Sequence, residues 1–140
     1  MYYLLAYVSS AVSLFSEQEL TDLLVKSRKN NQALDITGML LYKEGNFMQL
    51  LEGPKDAVLS LKRKIEKDSR HSGMIVLLRE EHEKREFPDW SMGFKSLNAE
   101  TALEVPGYNN FFELSLIDEK FQKAPSAALK LLYSFRKVTR

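Results

Sequence analysis

Two apolar segments joined by a short turn constrain the fold of this chain most strongly. Residues 36–42 and 47–52 both have the composition of buried strands. The turn between them, Lys43-Glu44-Gly45-Asn46, offers a glycine for a left-handed backbone position. The sequence therefore predicts a β-hairpin around which the other elements are arranged.

Helices are predicted on either side of this hairpin. Ser16-Glu17-Gln18-Glu19 is a capping box that predicts a helix over residues 17–31, and Phe15 and Leu20 are placed for a hydrophobic staple. Pro54 suits the first turn of a second helix. The inward stripe of that helix is Ala57, Val58, Leu61 and Ile65. Further strands are predicted over residues 3–9, 74–78 (continuing as alternating charge through Glu83) and 91–97.

The order of these elements, β-α-β-β-α-β-β, is typical of an α+β, ferredoxin-like sheet with two helices on one face. The pattern changes after residue 104. Asn110-Phe111-Phe112-Glu113 and Pro125 each predict the start of a helix. We expect these helices to cover the other face of the sheet. Residues 1–104 are therefore predicted to form the sheet domain, and residues 105–140 a C-terminal helical cap within the same compact unit.

Charge and composition exclude several classes of function. The chain has 20 basic and 19 acidic residues, a net charge of +1 that gives no long-range field for nucleic acid or an anionic membrane. No run of 18 apolar residues is present, and the absence of cysteine excludes disulfides and thiolate metal sites. Glu81 and Glu83 would lie on one face of a strand and His82 on the other, so no metal site is predicted there. The expected location is the cytoplasm.

Gln49 places a primary amide inside a predicted buried strand. Such an amide must find hydrogen-bond partners, since each unsatisfied group costs about 1–3 kcal/mol. Polar residues also continue or flank the inward stripes of the two helices: Ser27, Asn30 and Asn31 on the first, Lys64 and Asp68 on the second. Two helices on a sheet face make a slot that suits a flat apolar ligand with a polar edge, such as a flavin or a pterin.

Simpler interpretations of the same residues remain open at this point. Gln49 would be a core residue bonded to neighbouring backbone, Asn30 and Asn31 would end the first helix, and Lys64 would be solvated. Nucleophilic catalysis is not indicated, because the chain has no Gly-x-Ser-x-Gly frame and no glycine-rich phosphate loop. An RNA-recognition module shares the strand order, but its glycine-and-aromatic strand pattern is missing.

Together, these segments resemble the BLUF domain, the family of blue-light sensors that use flavin. The resemblance covers about residues 4–97, and beyond them the chain is similar to the short stand-alone members that carry a helical cap instead of a fused output enzyme. The matching segments are Tyr7 with Ser9, Lys26-Ser27-Arg28-Lys29-Asn30-Asn31, Ile36-Thr37-Gly38-Met39-Leu40-Leu41-Tyr42, Phe47-Met48-Gln49-Leu50-Leu51-Glu52-Gly53, Asp68-Ser69-Arg70-His71 and Phe87-Pro88-Asp89-Trp90-Ser91-Met92.

The resemblance implies the roles of individual residues. Light would drive electron and proton transfer from Tyr7 to the flavin, and the amide of Gln49, between Tyr7 and the flavin N5/O4 edge, would change its hydrogen bonds. Trp90 and Met92 on the last strand would respond to light. Many members have arginine where this chain has Lys64. Lys64 keeps the positive charge of that arginine but lacks its planar, two-pronged guanidinium group. The implied cofactor site is Ser27, Asn30, Asn31, Ile36, Gln49, Lys64, Asp68 and His71.

The sequence thus predicts a blue-light photoreceptor without catalytic turnover, which binds FAD, with FMN or riboflavin as alternatives. A homo-oligomer and a protein signalling partner are expected. Two other functions remain possible at this point: a flavin-dependent enzyme on a similar sheet, and a structural or RNA-binding ferredoxin-like module.

Overall fold

The computed structural model describes residues 1–13, 15–43, 45–94 and 126–138. Its elements confirm the predicted order and the predicted helix near Pro125. The predicted helix that begins at residue 110, and the boundary between residues 104 and 105, lie outside the described residues. The elements are β1 (Tyr2–Ala11), α1 (Glu17–Ala33), β2 (Thr37–Lys43), β3 (Asn46–Gly53), α2 (Lys55–Glu66), β4 (His71–His82), β5 (Trp90–Phe94) and α3 (Ala127–Val138).

The strands form one sheet in the order β4-β1-β3-β2-β5. β1 pairs antiparallel with β3 and β4, β2 pairs antiparallel with β3, and β5 lies parallel to β2. The turn between β2 and β3 contains Gly45 at φ 83°, a conformation that costs other residues more than glycine. The ferredoxin-like sheet is therefore confirmed, with β5 added at the edge beside β2.

Helix α1 begins as its capping box predicts. The backbone N–H of Glu19 donates to Ser16 Oγ at 3.1 Å, and the N–H of Ser16 donates to Glu19 Oε1 at 2.9 Å. The helix continues to Ala33, two residues beyond the predicted end at residue 31. Asn30 and Asn31 therefore lie in the last turn of the helix, where the backbone N–H of Leu34 donates to the carbonyl oxygen of Asn31 at 3.1 Å.

The two faces of the sheet carry separate cores. α1 and α2 cover the first face, as predicted, and α3, one of the two predicted helices of the cap, packs on the second face. The buried residues of the first core are Tyr3, Leu5, Leu20, Ile36, Leu40, Tyr42, Phe47, Leu51 and Val58. Those of the second are Leu4, Ala6, Leu41, Met48, Leu50, Ala128, Leu132 and Phe135.

Candidate functional site

A cavity of about 240 Å³ lies on the first face of the sheet, between α1, α2 and the strands. This volume is just below the usual range of small-molecule pockets, roughly 300–1,000 Å³. The cavity is lined by every predicted cofactor-binding residue except Ile36: Ser27, Asn30, Asn31, Gln49, Lys64, Asp68 and His71. The fold therefore brings together polar residues that the sequence placed on three separate elements.

Tyr7 and Gln49 meet at the floor of this cavity. The pairing of β1 with β3 places them directly opposite each other. Both side chains are buried, with 3% and 5% of their surface exposed. The phenol Oη–H of Tyr7 donates a hydrogen bond to Oε1 of Gln49. The amide of Gln49 is thus bonded to a phenol, and the interpretation of a core glutamine bonded only to backbone does not describe it.

The environment of Tyr7 keeps its phenol protonated. Burial raises the pKa of Tyr7 well above its ordinary value, and the negative charge of Asp68 raises it further. The Oη–H is therefore retained throughout the neutral pH range. Because the amide oxygen of Gln49 accepts the hydrogen bond from Tyr7, the Nε2 end of the amide is the donor that Gln49 can offer to a ligand in the cavity.

Two other lining residues carry buried polar atoms without a partner among the described residues. They are Nδ2 of Asn31 and Nδ1 of His71. Asn31 is only 2% exposed, so its unsatisfied donor costs about 1–3 kcal/mol. Nε2 of His71 lies 2.6 Å from the carbonyl oxygen of Ile65, to which it donates, and the neutral ring then offers Nδ1 as an acceptor. A ligand with a carbonyl and a hydroxyl would satisfy both atoms.

The other predicted residues from the two helices occupy the cavity wall in different ways. Asn30 and Lys64 are exposed and lie at its rim, and Ser27 is half-buried. Lys26, which also lines the cavity, lies one turn before Asn30, so helical spacing could have identified it.

Asp68 is held in an ion pair that the sequence analysis did not assign. Nε of Arg70 lies 3.0 Å from Asp68 Oδ1, and Nη2 lies 2.6 Å from Oδ2. These hydrogen bonds are the largest cause that lowers the pKa of Asp68, to about 2. The opposite charges two residues apart in Asp68-Ser69-Arg70 were the available signal for this pair.

The Asp68–Arg70 pair predicts a pH-dependent contribution to stability. Because the folded pKa of Asp68 lies below its ordinary value of 3.8, the contribution is present above about pH 4 and lost as the pH falls towards 2. Arg70→Gln should lower the free energy of unfolding by about 1 kcal/mol or less at pH 6, since both partners are partly exposed. Urea unfolding should find this difference shrinking towards pH 2.5. The exposed Arg63→Gln is the control, and a difference that stays constant with pH for Arg70→Gln would contradict the assignment.

One predicted residue packs away from the cavity, and two others are described by their backbone alone. Ile36 is 1% exposed and packs within the core of the first face, so it does not line the cavity wall as expected. The backbone of Trp90 pairs with Gly38 and that of Met92 with Leu40, so β5 begins at Trp90, one residue before the predicted start at Ser91. The side chains of Trp90 and Met92 lie outside the described part of the structure, and their response to light stays a prediction.

Two further expectations concern metals and membranes. Within residues 1–13, 15–43, 45–94 and 126–138, no group of three or more His, Asp or Glu side chains could hold a metal ion. None of the helices in these same ranges is long and apolar enough to cross a membrane.

Comparisons with known proteins find one family that matches most of this chain. A family model described as "BLUF: Sensors of blue-light using FAD" matches residues 2–93. The photoactivated adenylate cyclase subunit beta of Euglena longa is 37% identical over 89 residues, which are 63% of this chain. That segment is only 10% of the cyclase, so this chain corresponds to about a tenth of the curated relative.

Two solved structures share the fold. BlrB, a BLUF protein in its dark state, is 35% identical with a TM-score of 0.62, over 66% of this chain and 70% of that one. The photo-activated state of BlsA is 26% identical with a TM-score of 0.65, and the similarity covers 100% of this chain and 97% of that one.

Proposed function

We propose that the cavity between α1, α2 and the sheet holds the flavin, because this chain belongs to the BLUF family, the sensors of blue-light using FAD. The chain is a blue-light flavin sensor by its family and its relatives. One observation carries the assignment of the site: the buried Tyr7 phenol donates a hydrogen bond to Gln49, in a cavity where the amide donor of Asn31 has no partner among the described residues.

The residues of the cavity fit the flavin ring system. A flavin edge alternates carbonyl, N–H and ring-nitrogen groups, so it needs donors and acceptors side by side. Asn31 offers the donor Nδ2 that lacks a partner among the described residues, and Gln49 offers a second amide. Leu40, Leu61 and Ile65 supply apolar surface for the ring faces.

FAD is the flavin that we propose, on the description of the family. Lys26 and Lys64 are exposed at the cavity rim, where their ammonium groups favour a flavin that carries phosphate. FMN shares this feature, whereas riboflavin lacks it. FMN therefore ranks second among the candidate cofactors.

Tyr7 and Gln49 are the proposed photoactive pair. A bound flavin would supply the absorption of blue light and an excited state that accepts an electron. Tyr7 is the proposed electron donor, and its Oη–H proton already points to Oε1 of Gln49. The amide of Gln49 can then exchange its donor and acceptor ends, which changes the hydrogen bonds around it. Since the chain has no cysteine, a thiol adduct is excluded, and the response is a hydrogen-bond change.

The proposed function is tested by an absorption spectrum of the purified protein with FAD, before and after blue light. We expect a yellow protein whose flavin band shifts to the red in light and returns in darkness. A protein that stays colourless with added FAD would remove this function.

Asn31 should increase the affinity for flavin while it lowers the stability of the flavin-free protein. Asn31→Ala removes a buried donor that has no partner in the described residues, so the flavin-free protein should be as stable as the parent or more stable. Flavin affinity should fall about tenfold, the effect of one lost hydrogen bond of roughly 1.4 kcal/mol. Fluorescence titration with FAD and urea unfolding measure the two quantities. Gln32→Ala, an exposed amide on α1, should change neither; a parental affinity in Asn31→Ala would contradict the proposed contact.

The output is proposed to pass to a protein partner or to a second copy of this chain, without catalytic turnover by the chain itself. Edge strand β4 carries Ile75 and Leu77, which are 59% and 44% exposed and therefore available for such a contact. Measuring the mass in solution, in darkness and in light, would detect the second copy. The expected location is the cytoplasm.

A further inference from the structure

The connection between β4 and β5 is attached to β3 by a buried carboxylate. Glu52 is fully buried near the end of β3. Its Oε2 accepts the backbone N–H of Glu86 at 2.9 Å, and its Oε1 accepts that of Phe87 at 2.7 Å. A buried carboxylate is tolerated only where such donors meet it, so residues 86 and 87 are fixed relative to β3. Gln49 lies on this same strand, three residues before Glu52.

Arg85 adds a second attachment beside the first. Its Nη1 donates to Thr37 Oγ1 at 2.7 Å and to the carbonyl oxygen of Glu52 at 2.9 Å. Its Nη2 donates to the carbonyl oxygen of Asp35 at 2.8 Å. The segment from Arg85 to Phe87 is therefore bound to the start of β2 and to the end of β3, and a displacement of β3 would move it.

The side chain of Glu86 makes a contact with the other face of the fold. Ser126 Oγ–H donates to Oε2 of Glu86. Ser126 immediately precedes α3, and its carbonyl oxygen accepts the N–H of Lys130 at 3.0 Å, the first hydrogen bond of that helix. Glu86 thus holds β3 through its backbone and the start of α3 through its carboxylate, a position that the helix dipole also favours.

We propose that Glu86 is a positioning residue that couples the state of β3 to the C-terminal helix α3, through Glu52 on one side and Ser126 on the other. This inference rests on the proposed function, in which light rearranges the hydrogen bonds of Gln49 on β3. A change in β3 is transmitted to Glu52, then to the backbone of Glu86, and through the Glu86 carboxylate to the first turn of α3.

The test is hydrogen exchange of α3 in darkness and in light, on the full chain with bound flavin. The parent should show a light-dependent change in exchange across residues 127–138. Glu86→Ala and Ser126→Ala should each reduce that change at least about threefold, while the flavin red shift stays at the parental size. The double variant should reduce the change no further than either single variant, because both substitutions remove the same contact. Glu83→Ala is the matched control, an exposed glutamate in the same connection, and should behave like the parent.

Two substitutions at Glu86 separate the contact from its charge. Glu86→Gln keeps an oxygen that reaches Ser126, so it should retain the coupling. Glu86→Asp keeps the charge near α3 but is one methylene shorter, so it should lose the coupling. This pair also decides the matter if the alanine variants leave α3 unprotected in darkness.

Each result bears on a different claim. Absence of the red shift in the parent would remove the proposed function. If the red shift is normal, three results would overturn the role of Glu86 alone. The first is no light-dependent exchange in α3 of the parent, and the second is parental exchange in the alanine variants. The third is coupling that Glu86→Asp retains and Glu86→Gln loses.

Discussion

The Tyr7→Phe variant is expected to fold, bind flavin and stay yellow, yet to lose the light-driven red shift by more than about tenfold in yield. Phenylalanine fills the buried site of Tyr7 but lacks the Oη–H that Gln49 accepts, and its ring is much harder to oxidise. The barrier to electron transfer therefore rises, and each 1.4 kcal/mol of added barrier slows the step about tenfold. Absorbance under calibrated blue light measures the yield.

Tyr3→Phe is the matched control for this substitution. Tyr3 is a buried tyrosine on the same strand that does not line the cavity, so its loss of a hydroxyl should leave the light response unchanged. If Tyr7→Phe cycles like the parent, the electron comes from another residue, and Trp90 becomes the candidate donor.

The Gln49→Ala variant should still bind flavin but show no red shift. Apolar residues of the cavity wall supply most of the burial of the ring, so binding survives the loss of one amide. The variant lacks the proposed hydrogen-bond change, because Gln49 is the residue whose amide accepts the hydrogen bond from Tyr7. The buried Tyr7 hydroxyl also loses its hydrogen-bond acceptor, Oε1 of Gln49, so the free energy of unfolding should fall by about 1–3 kcal/mol. Absorbance and urea unfolding measure the two effects.

Gln18→Ala serves as the control for the glutamine substitution. Gln18 lies on the exposed side of α1, where its Nε2 donates to Asp22 at 2.9 Å. Its loss should change neither the spectrum nor the light response. A normal red shift in Gln49→Ala would show that the switch does not depend on this amide.

The fold could be predicted from local patterns because each pattern depends on residues that are close together in the chain. The capping box at Ser16 fixes where α1 begins, and Gly45 permits the turn between β2 and β3. Because side chains alternate along a strand, β1 places Leu5 in the first core and Leu4 in the second. The end of α1 was less accurate, because no C-terminal glycine marks it and the helix extends to Ala33.

The site could be predicted only in part, because its contacts join residues far apart in the chain. Helical spacing correctly placed Asn31 and Lys64 at the cavity, but the partnership of Tyr7 with Gln49 depends on strand register, and only the family resemblance indicated it beforehand. Ile36 was assigned to the cavity by that resemblance, whereas its side chain packs within the core of the first face.

The buried role of Glu52 shows the limit of pattern reasoning. A glutamate at the end of a hairpin strand is normally a solvated residue. Its burial becomes understandable only when the connection from β4 to β5 folds back and presents two backbone N–H groups to it. No local pattern in the sequence predicts this contact between Glu52 and the backbone of residues 86 and 87.

The central claim is that light changes the hydrogen bonds that Gln49 makes to the flavin. A light-minus-dark infrared difference spectrum of the parent and of Gln49→Ala tests it most directly, because a carbonyl that gains a hydrogen bond absorbs at lower frequency. We expect the flavin carbonyl band to move to lower frequency in the parent and to return in darkness, with no such movement in Gln49→Ala. An unmoved carbonyl band in the parent, or the same movement in both proteins, would contradict the account.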